Sequence, residues 1–152
     1  MSINTIINRQ YAIANNQADP IDLPKQRIYA MCNLRGGIGK TTLSFNLSYL
    51  VDNLLSVDTC PQGNLSFFYD NNYYAAQTNV KDMLLPYLVP GLGKATRVAS
   101  YVGATNQYFS KKNNYYIPSS EELYLLPSQL ITAINQTSGL QQAQKEQALK
   151  SI

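Results

Sequence analysis

A glycine-rich turn set between an apolar run and a stretch of helical periodicity constrains this chain more than any other feature. Residues Cys32-Asn33-Leu34-Arg35-Gly36-Gly37-Ile38-Gly39-Lys40-Thr41-Thr42 follow Ile28-Tyr29-Ala30-Met31. Leu43, Leu47, Leu50, Val51 and Leu54 then recur at intervals of three and four. The order is strand, turn, helix, and such a turn can offer a triphosphate several inward-facing N–H donors, a helix start and a lysine. The spacing predicts a helix of roughly 12 residues from Lys40 that packs one face on a sheet.

The run 27–33 is apolar enough for a buried parallel strand, and Leu54-Leu55-Ser56-Val57-Asp58 reads as a second short strand ending in a carboxylate. Together with the helix between them these form a βαβ unit, which places the chain in the α/β class, with a parallel sheet flanked by helices. A length of 152 residues suits one ordinary domain with its own core.

Upstream, Ile3, Ile6, Ile7, Tyr11 and Ala14 predict an amphipathic helix of about three turns. Residues 15–24, with two prolines and two aspartates, stop it, so 1–26 is read as a helical arm and linker. The arm either packs on its own domain or contacts a partner chain. Downstream, Asn64–Phe68 opens a short helix, Tyr69–Tyr74 is a polar loop, and Thr78–Leu85 is a capped helical segment that stops before Pro86. Residues 86–120 yield little beyond one helix near 94–102. Leu123-Tyr124-Leu125-Leu126 reads as a third strand closed by Pro127-Ser128, followed by a helix through Leu130, Ile131 and Ile134 that is interrupted near Gly139.

Composition removes several function classes. With no histidine, a His-based zinc site or catalytic triad is excluded. Every apolar run falls far short of the ~20 residues of a membrane span, and the N-terminus lacks the pattern of a secretory signal. A soluble cytoplasmic protein is expected, with Cys32 and Cys60 as buried free thiols near strand ends. The net charge of +3 comes from scattered basic residues, and Lys111-Lys112 reads as part of a solvated loop.

The generic phosphate loop has a glycine where this chain has Leu34. The run Asn33–Thr42 instead resembles the deviant phosphate loop of the ParA/MinD family of ATPases, Lys-Gly-Gly-x-Gly-Lys-Thr-Thr, with Arg35 at the family's signature lysine. Asp58-Thr59-Cys60-Pro61-Gln62-Gly63-Asn64 resembles the ParA segment Asp-x-Asp-Pro-Gln-Gly-Asn, and Leu123–Ser128 the later Leu-x-Leu-Ile-Pro-Ser strand. On this resemblance residues 27–152 are the N-terminal part of a ParA-like nucleotide-binding domain of phosphate-loop NTPase type.

The resemblance implies ATP and Mg²⁺ as cofactors. The loop N–H groups of Gly36, Gly37, Ile38, Gly39, Lys40, Thr41 and Thr42 would face the phosphates. Lys40 would reach the β- and γ-phosphates, Thr41 would ligate Mg²⁺, and Asp58 would stand near the metal or the attacking water. Arg35 would either act across a dimer on the partner's phosphates or serve as a plain surface arginine. The implied partners are a second copy, a ParB-like protein and non-specific DNA, with no membrane contact because the polar tail 141–150 is no membrane-binding helix.

Two departures matter. Cys60 replaces the family's second aspartate, and a thiol is a poor acceptor for a water's proton. After Leu130 no apolar strand ending in aspartate follows before Ile152, so the Walker B strand is missing from the sequence read and the sheet is expected to be incomplete. Its uncovered edge is expected to be closed by self-association. The sequence therefore supports a ParA-like Mg-ATPase, or its N-terminal part, for plasmid or chromosome partition. The alternative is a truncated, hydrolysis-deficient interaction or regulatory module.

Overall fold

The computed structural model describes residues 2–19, 27–88, 99–136 and 141–149. Helix α1 (Ile3–Ala14) opens the chain, capped by the Ser2 hydroxyl, which accepts from the Thr5 N–H at 3.2 Å. Ile7 packs against the core below, so the arm makes contact with its own domain. Residues 20–26 of the predicted linker lie outside the described residues.

Helix α2 (Lys40–Leu50) begins where the periodicity puts it. Strand β1 (Leu55–Val57), helix α3 (Asn64–Tyr69) and helix α4 (Val80–Leu88) follow. Next come β2 (Ser100–Tyr101), β3 (Tyr115–Ile117), helix α5 (Leu126–Gln136) and helix α6 (Gln142–Leu149). The strands form one sheet in the order β1-β3-β2. β1 lies parallel to β3, and β2 runs antiparallel to β3, so the sheet is mixed rather than all parallel.

Residues 27–33 form no strand. They run outside the sheet, exposed except for the half-buried Met31, with Ile28 89% accessible. A continuous apolar run marks chain that can be buried on both faces, but a strand also requires a hydrogen-bonding neighbour, and among the described residues none pairs with this run.

Helix α2 also presents a different face from the one its leucine spacing predicts. Phe45 and Ser48 turn inward, while Leu43 and Leu50 are exposed. Ring packing decides the orientation: Phe45 meets Tyr69 at 5.9 Å and Phe109 at 5.7 Å, and Tyr49 meets Phe109 edge-on at 5.9 Å. Edge and offset ring contacts of this kind add to the area they bury.

Strand alternation divides the core into two clusters. Tyr116 joins Leu65, Tyr69, Val102 and Phe109 on one face, whereas its neighbour Ile117 joins Val80 and Ala99 on the other, with Leu55, Met83, Leu84, Tyr115 and Leu123 around them. Tyr69, expected in a loop, is a buried centre of the first cluster, and its hydroxyl meets the Ser56 hydroxyl at 2.8 Å. Burial raises the Tyr69 phenol above its ordinary pKa, and Tyr116 is raised as well, first by burial and then by the Asp70 carboxylate beside it.

The predicted third strand is helical. Glu121–Tyr124 forms a 3₁₀ turn capped by Ser120, and Leu126 opens α5. Leu123, Leu126, Leu130 and Ile134 recur at three and four, a helical period, and Pro127 sits in the first turn of α5, where no N–H is required. An Ile-Pro-Ser run does close a strand, but earlier in the chain, at Ile117-Pro118-Ser119 after β3. Helix α4 likewise continues through position 86 to Leu88, since a proline removes one helical N–H without ending a helix whose start is capped: Asn79 Oδ1 accepts from Lys81 N–H at 3.0 Å, and Asn79 N–H donates to Asp82 Oδ2 at 2.9 Å. Of the helix expected near 94–102, residues 94–98 lie outside the described residues, and the rest is strand β2 and a 3₁₀ turn at Val102–Ala104.

Candidate nucleotide site

The turn reaches α2 through residues of left-handed backbone. Gly37 has φ +73° and Gly39, the residue that caps α2, has φ +84°, conformations that side chains disfavour. The first helical bond runs from Leu43 N–H to the Gly39 carbonyl at 2.8 Å. The N–H groups of Lys40, Thr41 and Thr42 therefore precede any intrahelical partner and project from the positive end of the helix. Gly36, Gly37, Ile38 and Gly39 are exposed, and Lys40 and Thr41 are half-buried.

Two hydrogen bonds shape the turn. Arg35 N–H donates to Asn33 Oδ1 at 2.7 Å, and Lys40 Nζ donates to the Arg35 carbonyl at 2.9 Å. Arg35 and Lys40 are thus brought together through the main chain of Arg35, and the lysine's charge lies on the loop itself. The Arg35 side chain belongs to an exposed residue.

Asp58 stands at the end of β1 and is buried. Oδ1 accepts from Cys60 N–H at 3.1 Å, and Oδ2 accepts from the N–H and hydroxyl of Ser66 at 2.9 and 2.8 Å. Ser66 Oγ in turn accepts from Ser119 N–H at 2.9 Å, and Ser119 Oγ donates to the Cys60 carbonyl. Its carboxylate bonds tie β1, α3 and the end of β3 together, and they run to Cys60 and Ser66 rather than to the glycine loop. Ser66 and Ser119 carry no motif of their own, and only their place after a glycine turn and a Pro-Ser strand end hints at this network.

The Pro61-Gln62-Gly63-Asn64 segment makes the turn that starts α3. Gly63 has φ +64°, and a Cβ there would lie 2.0 Å from the Tyr73 hydroxyl, so both backbone and space require glycine. Cys60 is an exposed free thiol in this turn, and Cys32 is likewise exposed and free, not buried as expected.

A lysine and two threonines at the start of a helix, reached through left-handed glycines, have the arrangement a phosphate loop requires. The donor set fits a nucleotide's phosphates: N–H groups at a helix start, an ammonium within the loop, and the Thr41 hydroxyl for Mg²⁺. Of the two Asp58 oxygens, Oδ1 accepts one bond from the described residues, which leaves it capacity for a water or metal. A family model described as an AAA domain matches residues 26–151. The chain belongs to that family, phosphate-loop ATPase domains of the ParA/MinD type. No curated protein and no solved structure gives a match. Among the described residues no helix is long and apolar enough to cross a membrane.

Proposed function

We propose that the chain binds Mg-ATP at Gly36–Thr42 as a ParA-branch protein of DNA partition, and that its hydrolysis is slow. The carrying observation is Lys40 on the glycine loop at the start of α2 in a chain of the ParA/MinD-type family. The Pro61-Gln62-Gly63-Asn64 turn supports the partition branch, because its resemblance is to ParA. When bound, Mg²⁺ would neutralise phosphate charge, with Thr41 and, through its remaining lone pair, Asp58 as the residues to hold it.

Slow turnover is supported by Cys60, a thiol at the position of the family's second aspartate. The exposed run 27–33 and the outer edge of β1 support self-association on nucleotide binding, with Arg35 offered to the second copy. Non-specific DNA and a ParB-like protein are the partners this reading implies, in the cytoplasm.

Equilibrium titration with ATP, with and without Mg²⁺, followed by turnover assays with DNA present, tests the reading. Mg-dependent binding with slow turnover is expected. Failure of ATP to bind would sink it. Rapid turnover would retain the ATPase and remove the argument from Cys60. The second reading, a hydrolysis-deficient regulatory module, is favoured by that same cysteine, and binding with no turnover even when DNA is present would select it.

A further inference from the structure

We propose that Asn33 is a positioning residue of the nucleotide loop, setting where the Lys40 ammonium stands. The inference rests on the reading of Gly36–Thr42 as a nucleotide site. Two contacts meet on the main chain of Arg35: its N–H is held by the Asn33 side chain at 2.7 Å, and its carbonyl holds Lys40 Nζ at 2.9 Å. A side-chain carboxamide that accepts an N–H two residues on fixes a turn in the way a main-chain acceptor does. The order of control is therefore the Asn33 carboxamide, the Arg35 main chain with its N–H in one peptide unit and its carbonyl in the next, and the Lys40 ammonium.

Packing cannot replace these bonds. A Cβ built on Gly36, Gly37 or Gly39 meets nothing within 4 Å, and Leu34 is fully exposed, so among the described residues no side chain packs on the turn at these positions. Hydrogen bonds are the restraint that remains. An ammonium has three donors, so Lys40 can keep the Arg35 carbonyl while turning another N–H toward an incoming phosphate. Without the Asn33 acceptor the main chain at Arg35 loses one of these two anchors, and the cost of ordering the loop then weakens binding. Arg35 N–H is also spoken for by Asn33, so the phosphates are left to the N–H groups from Gly36 onward.

ATP titration by calorimetry and amide hydrogen exchange of the ligand-free chain test this with Asn33→Ala and Asn33→Ser, serine being a shorter acceptor that can form the same kind of turn. Asn33→Ala should bind Mg-ATP about fivefold more weakly, the scale of one lost hydrogen bond. Its thermal midpoint should not move, because Asn33 is exposed. Asn33→Ser should recover at least half of the lost affinity on a logarithmic scale. The Arg35 amide should exchange faster in Asn33→Ala than in either other form. Wild-type affinity in Asn33→Ala, or equal weakness in Asn33→Ser, overturns the positioning role and leaves the nucleotide reading intact. A wild-type chain that binds no ATP overturns the nucleotide reading and the role of Asn33 with it.

Discussion

The cluster around Tyr69 and the segment from Ile28 to Leu43 are both rich in large apolar side chains, yet only the first is closed. In the cluster, Phe109 is fully buried and touches Phe45, Tyr49 and Tyr69, and the one polar atom of Tyr69 has a hydroxyl partner. In the segment, Ile28, Tyr29, Leu34, Ile38 and Leu43 are all exposed, and the turn is held by two hydrogen bonds through Arg35. The first region satisfies itself, so its residues report on folding. The second is organised around a charge and a set of N–H donors, so its residues should report on what binds there.

That contrast is broken most directly in the core. Phe109→Ala should lower unfolding free energy by about 3–5 kcal/mol, the range for removing a buried aromatic ring, read from urea denaturation. A loss below about 1 kcal/mol would mean that the ring cluster is not the centre of the fold. Lys40→Ala is the counterpart in the loop: affinity for Mg-ATP should fall at least about a hundredfold, close to 2.8 kcal/mol, with the unfolding midpoint unchanged.

A smaller effect appears in alkaline solution. Tyr69 and Tyr116 have folded pKa values raised above the ordinary 10.0. The unfolded chain therefore releases these protons first as pH rises past about 10, and stability present below that pH is lost toward the folded values. Unfolding free energy measured between pH 9 and 11 should decline, and Tyr116→Phe should flatten the decline. An unchanged slope in that variant would detach Tyr116 from it. The smallest effect is expected from Leu50→Ser on the open side of α2. With Leu50 75% exposed, stability should stay within about 0.5 kcal/mol by the same denaturation assay. A core-sized loss there would show that this face is covered in solution and would end the contrast.

Local chemistry was readable wherever a residue's own conformation carried it. The bounds of α1 and α2, the short helix after Gly63 and the cap before α4 all follow from periodicity, glycine and a capping side chain. Of the site, the placement of Lys40, Thr41 and Thr42 at the helix start was legible. The Asn33 contact was not, because a motif pattern does not show that its side chain accepts from the next residue but one at 2.7 Å. Asn114 carries no local signal for a related reason: buried, it donates to the Ser48 and Val51 carbonyls at 2.6 and 2.9 Å and accepts from Leu54 N–H, stitching the end of α2 to the start of β1 across about 60 residues of chain.

What the amino-acid sequence determined alone is the loop: glycines that reach left-handed backbone, a lysine at a helix start, and a family pattern that needs no distant partner to be recognised. What only the tertiary structure decided is pairing and facing. An apolar run such as 27–33 states that burial is possible, but a strand exists only where another strand supplies hydrogen bonds, and here β3 supplies them to Leu55–Val57. Leu123–Leu126 met no such neighbour and took the helical period of its leucines. The inward face of α2 was settled by where the rings of Phe109 and Tyr69 stand, contacts between residues distant in sequence that no local pattern encodes.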